Sequence, residues 1–233
     1  MDCLLVHGWM VTGRVWSWFA PKLDANVVTP TSLPPPSEVA ATTLETLAHR
    51  VLADATQAGL DRFHVIGHSM GGQVAQLVAA IATERVRSLV LVNPVPLSGL
   101  PLPPEVAAAF RGSGGNRAAQ GAILDQACLE LAPEAKQALL DDAGTIAPAW
   151  IARGLDLFVA GGDATKLAAI ACPTLVVATD DPFLPPAFLE QTIVSKIAGA
   201  RLATLHGPGH YPQVERPAAL AALVGSFLGE ADR

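Results

Sequence analysis

The feature that most constrains this chain is the hexapeptide Gly67-His68-Ser69-Met70-Gly71-Gly72. It directly follows an aliphatic run at 63–66 and precedes the helix-forming Gln73-Val74-Ala75-Gln76. A serine on a sharp strand-to-helix turn is forced into strained dihedrals, and glycines flank it because a side chain there would collide with the neighbouring strand or helix. The hydroxyl is thereby pushed out above the sheet. The competing reading is a glycine-rich turn carrying an incidental serine, and the strand-turn-helix context argues against it.

Other aliphatic runs lie at 3–6, 26–29, 88–92, 174–179 and 201–205, each ending in or near Gly, Pro, Asn or Asp, with helix-like stretches between them. Buried parallel strands joined by crossover helices read this way. The pattern predicts helices over 37–58 with Ser37 as N-cap, over 71–83 and over 218–228. The fold class is therefore α/β, a doubly wound and mostly parallel sheet of about six strands. From Pro94 to about Lys166 no strand pattern appears, only Ala- and Leu-rich helical patches. This stretch opens on the proline-rich 94–104 and includes the glycine-rich 111–116, which is expected to be flexible. The predicted organisation is a core of 1–95 and 166–233 with a small mobile helical cap at 96–165. Phe110, Leu124, Leu131, Trp150, Leu155 and Phe158 supply apolar surface there, most of it as glue to the sheet. Pro34-Pro35-Pro36 stiffens a loop ahead of a helix.

Composition removes several function classes. With 15 basic and 21 acidic residues the net charge is −6, and a nucleic-acid partner would call for a concentrated basic surface. Charged residues are 15% and hydrophobic ones 51%, against a usual ~25% charged, so much of the chain must be interior or line an apolar cavity. No uncharged apolar stretch is long enough to span a membrane. Cys3, Cys128 and Cys172 have neither zinc nor disulfide spacing, and the six histidines are scattered, so no metal and no cofactor is expected. The N-terminus lacks a basic region followed by a long apolar one, so the mature chain is expected to begin at residue 1 in a reducing cytoplasm.

An exposed serine needs a base within hydrogen-bond reach and a third group to orient that base. His210 is the candidate base, presented by the loop Gly207-Pro208-Gly209-His210-Tyr211-Pro212 after a strand. His206 follows the strand directly and reads as packed or solvated, His68 as a brace inside the turn, and His49 and His64 as ordinary helix and strand residues. The orienting acid should stand at another strand end. Asn93 carries no charge, which leaves Asp180 and Asp181, with Asp181 favoured; an Asp-Asp-Pro run is also a common turn opener. Oxyanion donors would be the backbone N–H groups of Met70 and of Trp9. Trp9 also offers a flat apolar wall.

Taken together, Leu4-Leu5-Val6-His7-Gly8-Trp9, Val65-Ile66-Gly67-His68-Ser69-Met70-Gly71-Gly72, Pro173-Thr174-Leu175-Val176-Val177 and the segment from Gly209 through His210 to Pro217 resemble the α/β-hydrolase superfamily. The resemblance covers 1–95 and 166–233. The chain order Ser69, Asp181, His210 is the one that superfamily uses. Within it the chain is similar to small capped serine carboxylesterases, the pimeloyl-carrier-protein methyl ester esterases among them. It departs from them in starting almost on the His-Gly strand, in carrying 31–37 where relatives often have a Gly-rich loop, and in a short acid loop. The resemblance implies a serine hydrolase that cleaves a small carboxylic ester through an acyl-enzyme, and the low charge of the cap favours an apolar acyl or aryl group. Lactone, thioester or carbon-carbon bond hydrolysis and perhydrolysis would use the same three residues. Haloalkane dehalogenation is excluded, because it needs a carboxylate where Ser69 stands. A non-catalytic binding module on the same fold is the alternative of a different class.

Overall fold

The computed structural model describes residues 1–30 and 33–233, so part of the 31–37 stretch lies outside the described residues. Six strands form one sheet: β1 (Asp2–Val6), β2 (Asn26–Val28), β3 (Phe63–His68), β4 (Val86–Val92), β5 (Thr174–Thr179) and β6 (Arg201–Leu205). Their order is β2-β1-β3-β4-β5-β6 and every neighbouring pair is parallel. β3 and β5 are buried along their whole length, whereas the edge strands β2 and β6 are partly exposed. That contrast follows from helices covering both faces of the central strands. This is the α/β-hydrolase fold expected from the sequence.

The register explains why distant residues meet. Val6 lies beside Gly67, His68 beside Val92, Val92 beside Val177, and Thr179 beside Leu205. All strands run the same way, so the residues after each strand end emerge at one carboxyl edge: Gly8, Ser69, Asn93, Asp181 and the loop carrying His210. Among the described residues three non-glycines have positive φ, Met10 at 63°, Ser69 at 55° and Asn93 at 39°. Each sits just past the end of β1, β3 or β4. Such conformations cost about 1–3 kcal/mol apiece and persist only where the surroundings over-determine them.

The helices differ from expectation in one instructive place. No single helix runs over 37–58. A 3₁₀ turn at Pro36–Ala41 is followed by a break, and α1 (Leu44–Gln57) starts afresh with Thr43 as its cap. The hydroxyl of Thr42 donates to the Glu38 carbonyl, while Thr43 and Thr46 exchange bonds in a capping box at 3.1 and 2.8 Å. Two adjacent threonines that bond backbone locally end one turn and open the next, and they displace Ser37 as the cap. The other two helices, α2 (Met70–Ile81) and a C-terminal helix at Pro217–Ala231, fall where the pattern put them to within one to three residues.

Between β4 and β5 the described residues form helices and no strand: α3 (Pro104–Arg111), α4 (Arg117–Ala127), α5 (Pro133–Ala143) and α6 (Pro148–Ala160), then a 3₁₀ turn at Ala164–Ala169. Entry and exit of this segment touch, with Gly162 N–H donating to the Leu97 carbonyl at 2.7 Å and Leu100 N–H to that of Phe158 at 3.1 Å. The glycine-rich 111–116, expected to be flexible, is instead a packed turn. Ser113 is buried and donates to the Phe110 carbonyl at 2.7 Å, Asn116 caps α4 by accepting from Ala119 N–H at 3.1 Å, and a Cβ on Gly114 would lie 2.8 Å from Pro148 Cα. Gly114 there serves close contact rather than looseness. Asp142 of α5 is buried and accepts from both the N–H and the hydroxyl of Thr12, each at 2.7 Å, which fastens the helical segment to the loop after β1. No helix among the described residues is long and apolar enough to cross a membrane.

A Cβ on Gly71 would collide with the carbonyl oxygens of Val6 and His7, so α2 lies directly on the end of β1. Gly71→Ala is expected to destabilise the chain by about 3 kcal/mol, at the upper end of overpacking costs. An unchanged denaturant midpoint in that variant would contradict this close approach.

Candidate active site

Ser69 is held by backbone alone. Its N–H donates to the Val92 carbonyl at 3.1 Å, and its own carbonyl accepts from Gly72 N–H at 2.8 Å and Val95 N–H at 3.0 Å. It stands at the N-cap of α2 with φ 55° and ψ −125°, and its side chain makes no capping bond. The hydroxyl is therefore not consumed by the helix it precedes. Met70 is the first residue of α2, so its N–H is one of the amides a helix start leaves without an intrahelical acceptor, at the positive end of the dipole. On the other side a Cβ on Gly8 would lie 3.0 Å from Ser69 Cβ, which brings the chain at Trp9 up to the serine.

The two aspartates part ways. Asp181 is fully buried at its side chain, and its Oδ2 accepts from His210 Nδ1 at 2.6 Å while its Oδ1 accepts from Phe183 N–H at 2.8 Å. A carboxylate can only accept, so Nδ1 carries the proton and Nε2 is left free. Asp180 faces solvent and accepts from Gly207 N–H at 2.8 Å and from His206 Nδ1 at 2.9 Å. Those two partners, the Gly207 amide first, hold its carboxyl below the usual range. Of the pair, Asp181 meets His210 and Asp180 serves an exposed His206.

Residues to which the sequence reading gave no such part carry the His210 loop. Asn93 Nδ2 donates to Thr179 Oγ1 at 2.8 Å and to the carbonyls of Gly209 at 3.1 Å and His210 at 3.2 Å; the Thr179 hydroxyl donates to the Gly209 carbonyl at 2.7 Å. The sequence marks Asn93 only as an uncharged residue at a strand end, unfit as the acid. His68 braces more than its own turn, since its Nε2 donates to the His210 carbonyl at 2.8 Å. Burial, and then the neighbouring His210, push its pKa well below the ordinary value. It is thus a neutral donor. His64, a buried strand residue, has Nδ1 at 2.8 Å from the Ser88 hydroxyl.

Ser69 and His210 open on one cavity of about 50 Å³. Trp9, Phe110, Phe158 and Phe183 form much of its wall, and none of its lining residues is Asp, Glu, Lys or Arg. Trp9 stacks on Phe110 at 5.5 Å and 13° and meets Phe158 edge-on at 5.7 Å, while its indole N–H donates to the Ile151 carbonyl at 2.8 Å. It is both wall and anchor. Of the six apolar residues singled out at 96–165, Phe110 and Phe158 face the cavity and the other four do not line it. Among the described residues no hydrogen bond joins the Ser69 hydroxyl to the His210 ring, and no cluster of three or more His, Cys, Asp or Glu could hold a metal ion.

A parallel sheet of this strand order, with a strained serine where β3 enters α2, defines the α/β-hydrolase class. The chain belongs to the alpha/beta hydrolase family, whose sequence profile matches residues 3–223. It is similar to the dihydrolipoyllysine-residue acetyltransferase component of the acetoin cleaving system of Cupriavidus necator, 28% identical over 97% of this chain and 63% of that protein. The chain thus spans less than two thirds of that relative's length. It is also similar to the pimeloyl-[acyl-carrier protein] methyl ester esterase of Klebsiella pneumoniae, 34% identical over 41% of this chain and 38% of the esterase. The bromoperoxidase of Bacillus anthracis shares the fold, with a TM-score of 0.86 at 19% identity over 98% of this chain and 91% of its own.

Burial is the leading cause that lowers the pKa values of His7, His64 and His68. Each folded value lies below the unfolded value of about 6.5, so the unfolded chain takes up protons first as pH falls. The stability these neutral histidines allow is present in full above about pH 6.5. It is lost below that, by up to about 1.4 kcal/mol per pH unit for each histidine. Urea unfolding at pH 7, 6 and 5 should show this decline, and a flat profile would refute it.

Proposed function

We propose that this chain is a serine carboxylester hydrolase with Ser69 as nucleophile, His210 as base and Asp181 as the orienting acid. The observation that carries this reading is the buried Asp181–His210 pair, 2.6 Å apart, at the cavity that also holds a serine in a strained conformation. His210 Nε2 takes the Ser69 proton as the oxygen attacks the ester carbonyl. The imidazolium is stabilised through Nδ1–H by Asp181 and returns the proton to the departing alcohol. Water then attacks the acyl-enzyme, with His210 again as base. The N–H groups of Trp9 and Met70 receive the developing oxyanion. In unliganded hydrolases the contact between nucleophile and base is often loose and tightens with substrate, which accommodates the absent Ser69–His210 bond.

The helical segment at 96–165 acts in this reading as a cap, its entry and exit joined at Leu97 and Gly162. A cavity without a charged wall favours a short neutral acyl group and disfavours one that ends in a carboxylate, which would be desolvated without a partner. The free thiols of Cys3, Cys128 and Cys172 suit a reducing compartment.

Ser69→Ala should lower kcat on p-nitrophenyl acetate by about 10⁶ and abolish labelling by a fluorophosphonate. Wild-type turnover in that variant would end the claim. A second expectation concerns chain length. Phe110 and Ile123 separate the cavity from an apolar groove of about 320 Å³ between α3 and α4. The wild type should prefer acetyl and butyryl esters to octanoyl, and Phe110→Ala should move the optimum of kcat/KM toward the longer chains. An unaltered chain-length profile would mean that Phe110 is no part of the acyl wall.

A further inference from the structure

Glu215 closes the short helix at Pro212–Glu215, five residues after His210. Its Oε2 accepts from the N–H groups of Leu129 and Glu130, both at 2.8 Å, and from Gly209 N–H at 2.9 Å; its Oε1 accepts from Tyr211 N–H at 3.0 Å. One carboxylate thus gathers four backbone amides, two on the connection between α4 and α5 and two flanking His210. The amide between those last two points the same way, because His210 N–H donates to the carbonyl of Ala127 at the end of α4 at 2.8 Å. This approach requires Gly209, since a Cβ there would strike the Ala127 carbonyl and come 2.9 Å from Cys128 Cα. Beside it, the guanidinium of Arg216 pairs with the Glu130 carboxylate. The loop around His210 is therefore held from the sheet by Asn93, Thr179 and His68, from the cap by the Ala127 carbonyl, and through the amides on either side of His210 by Glu215, which also holds Leu129 and Glu130 of the cap.

We propose that Glu215 is a positioning residue that couples the cap to the base. Its carboxylate keeps His210 aligned with Asp181 and Ser69 only while the α4–α5 connection is docked, so that cap docking and base alignment are one structural state. The inference rests on the reading of His210 as base. A residue that merely closed its own loop would need the Gly209 and Tyr211 amides alone; the bonds to Leu129 and Glu130 serve no local turn. Chemistry also favours a carboxylate here, because both oxygens face donors and neither faces an acceptor. Glutamine in this place can offer its carbonyl oxygen to one group of amides, but it turns an NH₂ toward the other.

The test compares the wild type with Glu215→Gln and Glu215→Ala in the full chain, at a temperature where circular dichroism shows each folded. Three quantities are read: kcat and KM on p-nitrophenyl butyrate, amide exchange at 128–130 and 209–211, and the low-field proton resonance of His210 Nδ1–H. We expect kcat to fall about 10- to 100-fold, as for a base displaced by a fraction of an ångström to an ångström, with KM changed less than about threefold. Exchange should rise in both segments together, and the low-field resonance should shift or broaden. If kcat stays within about twofold of wild type while exchange rises, Glu215 is a brace and the proposal is wrong. Exchange that rises in only one segment overturns the coupling as well. Should neither Glu215 variant fold, Glu130→Pro, which removes one cap-side donor and leaves Glu215 in place, is expected to show the same pattern, and unchanged kcat there also overturns the proposal. A wild type without ester turnover or fluorophosphonate labelling would instead sink the hydrolase reading, so the two failures are distinguishable.

Discussion

The site depends on one backbone contact, the seating of α2 on the carboxyl end of β1. At Gly71 the helix presses against the carbonyls of Val6 and His7 with no room for a Cβ. A helix that starts so close to the sheet leaves the chain no relaxed path from β3, and Ser69 takes up the turn at φ 55°. The same contact sets Gly8 against Ser69, so the amide after Gly8 and the first amide of α2 converge beside a hydroxyl that caps nothing. The strain at Ser69, the free hydroxyl and the paired amides have a common cause in the register that aligns β1 with β3.

Around that fixed point the histidine loop is secured by hydrogen bonds as well as by packing. The N–H groups of Gly209 and Tyr211 donate to Glu215 and that of His210 to the Ala127 carbonyl, while the carbonyls of Gly209 and His210 accept from Asn93, Thr179 and His68 on the sheet side. A loop whose polar backbone is satisfied from two directions presents its imidazole in one orientation, with its Nδ1 proton on Asp181. Neutral His68 is suited to this, since a charged ring buried in that place would be desolvated. The cavity above is nearly free of charge, so the polar chemistry is concentrated at its floor and the walls supply shape.

Much of this was legible in the linear chain for identifiable reasons. β5 and β6 were bounded to the residue because their aliphatic runs begin and end sharply, and the serine turn announced itself through glycines that only a crossover geometry requires. The helix expected at 37–58 failed because periodicity alone does not register that Thr42 and Thr43 can take backbone bonds for themselves. The glycine-rich turn at 111–116 was misjudged because glycine permits both looseness and close approach, and the neighbour that decides, Pro148, is distant in sequence. Glu215 drew no assignment because its partners are backbone amides, which leave no trace in residue identity, and Asn93 because its partners lie on segments more than eighty residues away.

What the sequence by itself determined is the inventory: parallel strands, a serine that must stand above their edge, and a histidine and a pair of aspartates available in loops after later strands. These are local facts, fixed by dihedral limits, by hydrophobic runs and by the positions of glycine and proline. Only the tertiary structure decided which aspartate turns inward, which asparagine, threonine and glutamate hold the loop, and which aromatic rings enclose the cavity. Those outcomes depend on strand register and on contacts between segments more than eighty residues apart, where a single step of pairing would exchange Asp180 for Asp181.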